Sequence, residues 1–591
     1  MRRGIRLHHA RTIRTSFLLC CLACPLPGHG QPAGRGGDTI YHLHGTVVDG
    51  VTGKPLTRAL VLSPDRRLGV MTDGEGRFQV DLSVPPRTGS PTGNGDSYPL
   101  SAFQRFGQTL YLSAQKPGYI QTGQQALLPL DDSLSSTEVK IKLMPAAIVT
   151  GRISAAGTDS AANVHVLLLL HQVTGDGTPV WQQAGSATAN SRGEFHFANL
   201  RPGEYTVMTQ EWRGDQPSPQ PHPMVTQRYP PTFYGDVSGL DAAIKLRLHY
   251  GDTPQVELHL HLTNYYRVAV PVANSAPTPS VGVQLLDQTA FNGFQLGYNS
   301  HTGMVEGLLP SGHYTLLFTG NAPQQATGQS QQSFAVTSIN VSDAPLQTAS
   351  IALSPSSPVM VRVHDQLTGQ QAPQPDYEGQ ILSGISARAG GSQILNAQQS
   401  APVLQLILRD VERNGGYMSV PGQTGHNDEL MVPNVPPGRY FVHPQVYRGG
   451  YVASLTCGGV DLLRQPLVVG SSGGTSPIDA VVRDDNPKLS GTVTSAGGPL
   501  PQQMFIMFLP TDSPAQFTQS YAGPDGKFTV PNLAPGSYRV LALAAVRRQL
   551  PYNDAEWMRR LDGKGSTLTA NPGQTLQIDT PLIDDADMED N

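Results

Sequence analysis

The sequence predicts an all-β protein, a tandem array of about five Ig-like antiparallel β-sandwiches behind a signal peptide. Three observations predict it. Gly (63) and Pro (50) make up about 19% of the 591 residues, against a typical ~12%, and such punctuation breaks helices and favours turns. Only 14% of the residues are Asp, Glu, Lys or Arg, so neither a charge-rich disordered chain nor a coiled coil fits. A short motif of alternating apolar residues and turn residues recurs along the chain, the mark of a repeated supersecondary unit.

The N-terminus reads as a leader. Arg2, Arg3, Arg6, Arg11 and Arg14 form a basic region without an acid, an apolar stretch runs from Ser16 to Leu26, and Gly28-His-Gly30 supplies a small-x-small cleavage site. This is the order of a secretory signal peptide over residues 1–30. The apolar stretch is shorter than a spanning helix, which needs ~20 residues. No other segment is long enough, so the expected mature chain has no transmembrane helix. Cys21 or Cys24 offers a lipid-anchor reading. The expected location is secreted, periplasmic or outer-surface.

Three of the four cysteines lie in the leader, which leaves Cys457 and no internal disulfide. Cys457 ends a strand-like run from Tyr451 with no nearby His, and reads as a buried inert thiol. Losing the five leader arginines takes the formal charge from −5 to −10. A charge-poor, mildly acidic surface excludes nucleic acid, which needs clustered Lys and Arg.

The repeat organises the rest. One copy reads Gly193-Glu-Phe195-His-Phe197-Ala-Asn-Leu200-Arg-Pro202-Gly203-Glu-Tyr205-Thr-Val207. Another keeps the same spacing from Gly526 through Phe528, Val530, Leu533, Pro535, Gly536 and Tyr538 to Val540. A third runs from Leu430 to Val442, a fourth from Gly303 to Leu316, and a partial copy covers Asp73 to Val80. Alternating residues such as Phe-x-Phe share one face of a strand. Leu plugs the bend, Pro presets φ and Gly accepts φ > 0. The motif is therefore expected to form a β-hairpin closing one edge of a sandwich, with Tyr205, Tyr314, Tyr440 and Tyr538 in the core.

The upstream half also recurs, at Gly45-Thr-Val, Val149-Thr-Gly151 and Leu489-Ser-Gly491-Thr-Val493. These landmarks divide the chain into units at 38–146, 147–250, 251–356, 357–483 and 484–591. The run from Pro85 to Ser101 and the low-complexity run from Gly379 to Ser400 read as loops. The best helix signal is Asn553 to Leu561, with an Asp cap and Gly563 as a stop.

Gly45-Thr-Val with Gly53-Lys-Pro55-Leu and Thr72-Asp-Gly-Glu-Gly-Arg-Phe78 resembles the carboxypeptidase regulatory-like domain. Leu489 to Val493 and Leu533 to Tyr538 resemble it equally, the second unit does so in its second half, and the third and fourth keep mainly the motif. The whole arrangement resembles multi-repeat exported proteins of Acidobacteria. The resemblance implies a transthyretin-like, carbohydrate-binding-like sandwich and a non-catalytic accessory role.

Enzymatic signals are weak. His426-Asn-Asp-Glu429 spells a zinc pair, but His443 follows 14 residues after the Glu, too close for the third ligand of a metallocarboxypeptidase. Gly470-Ser-Ser472-Gly-Gly474 spells a nucleophile elbow, but the Pro477 that follows prevents the helix such an elbow requires. The pairs His42/His44 and His259/His261 could each present one face to a metal. Alternation assigns the histidines to water and Leu258, Leu260 and Leu262 to the core. Arg213-Gly-Asp215 and Asn340-Val-Ser342 read as chance triplets. No catalytic residue, metal or cofactor is expected.

Aromatic side chains are the better ligand candidates. Sugar-binding sandwiches stack Trp or Tyr on pyranose rings. Trp181, Trp212, Tyr229, Phe233, Tyr234, Tyr265 and Tyr266 lie in or beside the second and third units. The first five are the leading candidates, and Trp181 and Trp212 fall outside the repeat's core positions. Ordinary core packing is the competing reading for them. The expected function is an exported, non-catalytic protein that binds polysaccharide or an envelope protein. The alternatives are a purely structural spacer of the envelope, and a hydrolase hidden in the divergent third and fourth units.

Overall fold

A computed structural model describes residues 39–583, apart from 63–68, 85–108, 122–125, 130–137, 158–159, 174–178, 213–223, 274–279, 287–293, 322–331, 369–403, 412–416, 421–422, 425–429, 447–448, 471–473, 513–516, 545–557 and a few single positions. The leader, both loop insertions, His426, Glu429, Ser472 and the Arg-Gly-Asp triplet lie outside the described residues. So does most of the expected helix, of which Met558 and Arg559 are helical.

The described chain is almost wholly β, and one topology repeats five times. Each unit opens on an entry strand: Thr39–Asp49, Ala147–Ala155, Thr263–Ala273, Val359–Gln366 and Lys488–Thr494. The motif strand lies antiparallel to it: Arg77–Val84, Glu194–Leu200, Met304–Pro310, Leu430–Val432 and Lys527–Val530. On its other side lies the exit strand, and this pairing is parallel in every unit. A second strand and the return strand after the motif pair in the facing sheet, for example His165–Val173 with Gly203–Thr209. The sandwiches are thus mixed, not purely antiparallel as the local pattern suggested. A parallel neighbour joins strands about a hundred residues apart, and no local signal reports it.

The motif is not a hairpin. Its two strands do not pair with each other in any of the four copies that carry Tyr. They lie in opposite sheets in the second, third and fourth units, and in opposite halves of a sheet joined by the exit strand in the fifth. The local chemistry explains why. Asn199, Asn434 and Asn532 adopt φ of 58–59°, a left-handed conformation that Asn tolerates, and this turns the chain out of its ladder. Leu200 and Leu533 then drop into the core. The Tyr ring folds back over the glycine two residues before it. A Cβ at Gly312 would sit 3.1 Å from the Tyr314 hydroxyl oxygen, and one at Gly438 would sit 3.3 Å from that of Tyr440. Each hydroxyl donates to the carbonyl four residues upstream: Tyr205 to Arg201 (2.9 Å), Tyr314 to Pro310 (2.9 Å), Tyr440 to Pro436 (2.8 Å) and Tyr538 to Ala534 (2.6 Å). These hydroxyls tie down an arch across the roughly 10 Å between sheets. All four rings are buried in their sandwich cores, as the sequence suggested.

Two pairings shift the expected boundary at 250. Gln255–Leu260 pairs with Thr150–Ala155 and closes the second unit. Val225–Arg228, earlier in sequence, leaves that unit and pairs with Thr263–Tyr266 in the third. The chain then returns through residues 229–245 to Leu246–Leu248 of the second unit. The third unit therefore holds a strand that comes from within the second. One residue separates exit and entry strands at the first joint and two at the second; three and four residues separate the flanking strands at the third and fourth.

Candidate functional site

The five aromatic candidates gather on the second unit but not in one patch. Trp212 packs against the inter-sheet core and stacks on Tyr229 with centroids 4.9 Å apart. Their backbones exchange hydrogen bonds of 3.0 and 2.9 Å, and the Tyr229 hydroxyl donates to the Ala156 carbonyl. Tyr234 also lies against that core. Trp181 and Phe233 belong to a separate cluster on the outer face of the four-stranded sheet, with Leu167, Leu169 and Met208. Tyr229 and Phe233 are 0% and 1% exposed, so neither ring face is open to a ligand. The physical reason is the segment 229–245. It runs beside Gly203–Thr209, with Thr209 N–H donating to Thr232 and Tyr234 N–H to Val207, and then folds over the sheet. Its aromatic residues are the material of that cap.

Trp181 stands at the rim of the cap and remains half-buried. Register puts it opposite His171, His171 opposite Glu204, and Glu204 opposite Arg247. Four strands thus carry one row across one face. The His171 ring stacks on the indole at 4.9 Å. His171 Nδ1 is 3.7 Å from Glu204 Oε1. The Lys245 ammonium lies 4.6 Å from the indole centroid and donates to the Leu240 carbonyl. Burial lowers the Lys245 pKa, while Glu204 and Asp241 oppose that shift. A row of this composition can hold a polar ligand by stacking and hydrogen bonding. Sequence reasoning found Trp181 but missed His171, Glu204, Lys245 and Arg247. Alternation in Leu167-x-Leu169-x-His171 marks a shared face, but the register across four strands has no sequence signal.

The other candidates resolve into structure. His42 Nδ1 meets Asp81 at 2.7 Å, and His259 Nδ1 meets Asp236 at 2.8 Å. The first histidine of each His-x-His pair is thereby engaged by a carboxylate. Among the described residues no three His, Cys, Asp or Glu side chains come together as a metal site. The Cys457 thiol is half-buried, donates to the Ser476 carbonyl at 3.2 Å, and burial raises its pKa. That opposes thiolate formation.

The second and third units meet across a buried ion pair. Arg228 and Glu211 side chains are 9% and 7% exposed and hydrogen-bonded to each other. The Arg228 guanidinium lies 5.6 Å from the centroid of Tyr265, on the third unit's entry strand. Burial pushes the Tyr265 hydroxyl pKa far up. A cleft of about 340 Å³ lies between the fourth and fifth units, lined by Tyr451, Arg464, Arg483 and Asp512 among others. Its polar groups satisfy one another. Tyr451 donates to Asp485 (2.9 Å), Arg464 Nε to the Asp512 carbonyl (3.1 Å), and Arg483 pairs with Asp485. Among the described residues no helix is long and apolar enough to cross a membrane.

The fold and these joints define a tandem β-sandwich protein. No family model matches the chain, and no curated protein matches it. Among solved structures it is similar to the TIE protein of Bacillus anthracis, at 10% identity over 78% of this chain and 80% of that one, with a TM-score of 0.14. GBS52, the minor pilin of Streptococcus agalactiae, matches at 12% identity over 40% and 99%, with a TM-score of 0.17. Two B repeat units of the collagen binding protein of Staphylococcus aureus match at 11% over 74% and 99%, with a TM-score of 0.12. Likeness this slight carries no argument, and the architecture rests on the strand pairing itself.

Proposed function

We propose that the chain is an exported, non-catalytic stalk of the cell envelope, built from five sandwiches in line. One observation carries the reading. Parallel pairing of entry and exit strands brings the chain in at one end of each sandwich and out at the other. Linkers of one to four residues leave no length to fold back. The resemblance to carboxypeptidase regulatory-like repeats and the leader-like N-terminus support export and an accessory role. The proposal takes the five units at their expected boundaries, with the second carried on to Leu260. An acylated Cys21 or Cys24 would anchor the stalk; mass spectrometry of the exported protein tells that from cleavage after Gly30.

Small-angle scattering tests the stalk. A compact chain of this length has a radius of gyration of ~25 Å. Five sandwiches of ~30 Å each, from strands of about nine residues, give a rod near 150 Å and a radius of gyration of roughly 45 Å. A value near the compact one ends the proposal.

A second reading, polysaccharide binding, is favoured by the Trp181 row alone. Affinity electrophoresis through a panel of polysaccharides tests it. Retardation should be lost in Trp181→Ala and kept in Trp212→Ala.

A further inference from the structure

We infer that the chain bears tension along its length and that the third sandwich is the element that yields first, an inference that rests on the in-line reading above. Tension between the ends of a sandwich acts on its entry and exit strands. Where these are parallel neighbours pulled from opposite ends, the load runs along the strands and every hydrogen bond between them is strained together. Where two strands are pulled apart from one end, the bonds open singly. Resistance to force follows the barrier to unfolding rather than equilibrium stability, so the number of bonds that must fail together sets the order of yielding.

That number differs among the units. Six consecutive residues of entry and exit strand are paired in the first unit (His44–Asp49 with Glu138–Leu143), in the second (Thr150–Ala155 with Gln255–Leu260) and in the fourth (Val361–Gln366 with Ile478–Arg483). Seven are paired in the fifth, where the exit strand also pairs with the return strand at Ala542 and Leu543. In the third unit the ladder is broken in two. Val268 and Ala269 pair with Leu346 and Gln347, then Val272 and Ala273 pair with Ile351 and Ala352.

The stretch of that edge ahead of the broken ladder is held from outside. Residues 263–266 of the entry strand pair with Val225–Arg228, which comes from the second unit. That strand is a splint across the joint. It runs antiparallel to the entry strand and is rooted in the second unit through Arg228, whose guanidinium is buried against Glu211 and over Tyr265. Pulling the third unit away from the second loads this pair in shear as well. The design strengthens the joint and leaves the third sandwich with the shortest continuous clamp of its own.

Single-molecule pulling of the full chain tethered at its two ends tests this. The key variant is Val272→Cys with Ile351→Cys in a Cys457→Ala background, which bridges the broken clamp at a paired position. Closure of the bridge is verified by thiol titration before pulling. In the oxidised variant the lowest-force extension should shrink to the residues outside the bridge, and reduction should restore it. Val268→Cys with Leu346→Cys gives the same readout at the other half of the clamp should the first bridge not close. A lowest-force event that keeps its length in the oxidised state overturns the inference. Scattering separates the two failures. An extended particle whose third unit does not yield first sinks only the order of yielding, whereas a compact particle sinks the stalk itself.

Discussion

In the second sandwich a phenylalanine lies over a glycine; at the same register in the third, two valines face each other. Gly151 is paired with Phe195, and a Cβ on Gly151 would fall 2.2 Å from the ring's Cζ. Gly45 with Phe78 and Gly491 with Phe528 repeat that arrangement in the first and fifth units. The third unit pairs Val270 with Val305, and the fourth pairs Val361 with Leu430. Either solution fills the same space between entry and motif strands, with volume on one strand or shared between two. Burying such side chains stabilises by about 1.5–3 kcal/mol each. The lesson is that the resemblance legible in three units is a packing choice. The divergent units keep the topology and the tyrosine arch while dropping the glycine and phenylalanine that make it readable.

The largest expected effect is at the joint between these two units. Arg228→Met strands Glu211 in a buried site, and losing one partner of a buried pair costs about 3–5 kcal/mol. It should separate the unfolding of the second and third units in a calorimetric scan. A single unchanged transition would show that the joint does not couple them.

Next comes an exchange of the two packing solutions. Gly151→Val should destabilise the second unit by about 3 kcal/mol, at the high end for overpacking, because the ring is hemmed in by its own core. Gly151→Val with Phe195→Val imports the third unit's arrangement and should recover much of that loss. Urea unfolding followed by tryptophan fluorescence reads it, since Trp181 and Trp212 both report on the second unit. No recovery in the double variant would mean the two solutions are not interchangeable.

A smaller effect is shared. Tyr205→Phe and Tyr314→Phe should each cost about 1 kcal/mol, removing the hydrogen bond to a partly buried carbonyl. They also carry a pH dependence. Burial pushes Tyr314 up to about 12, above its ordinary value near 10. The neutral phenol is favoured in the folded state, so its contribution is complete below pH ~10 and is lost as pH rises through 12. Tyr314→Phe should remove that part of the third unit's alkaline destabilisation; an identical alkaline profile would argue against the arch. The smallest effect belongs to Asp236→Asn, whose pairing with the exposed His259 is worth roughly 0.2–1 kcal/mol. Urea midpoints should move barely at all.

Much of the fold was legible because its signals are local. Val256 to Leu260 alternates inward and outward as its letters suggest, although Leu262, expected in the core, is 42% exposed because the strand ends at Leu260. The tyrosines, read as core, are core. The aromatic site was less legible. Tyr229 and Phe233 sit among prolines and a glycine, where exposure looks natural, yet Tyr229 enters the inter-sheet core and Phe233 forms the inner face of the cap on the outer side of the sheet. Trp181 and Trp212 are close in sequence and pack against different clusters, because the strands between them reverse direction and the sheet separates its two faces.

The residues alone determined strand periodicity, the turns at Gly, the repeat count and the buried tyrosines, since each depends on steric and hydrophobic preferences within a dozen residues. Tertiary structure alone decided that the motif crosses between sheets, that entry and exit strands run parallel, and that Val225–Arg228 belongs to its neighbour's sheet. Backbone hydrogen bonding between strands is nearly blind to side-chain identity. Which edges meet is settled by loop reach and by the burial of whole faces together, and neither is written at any one position.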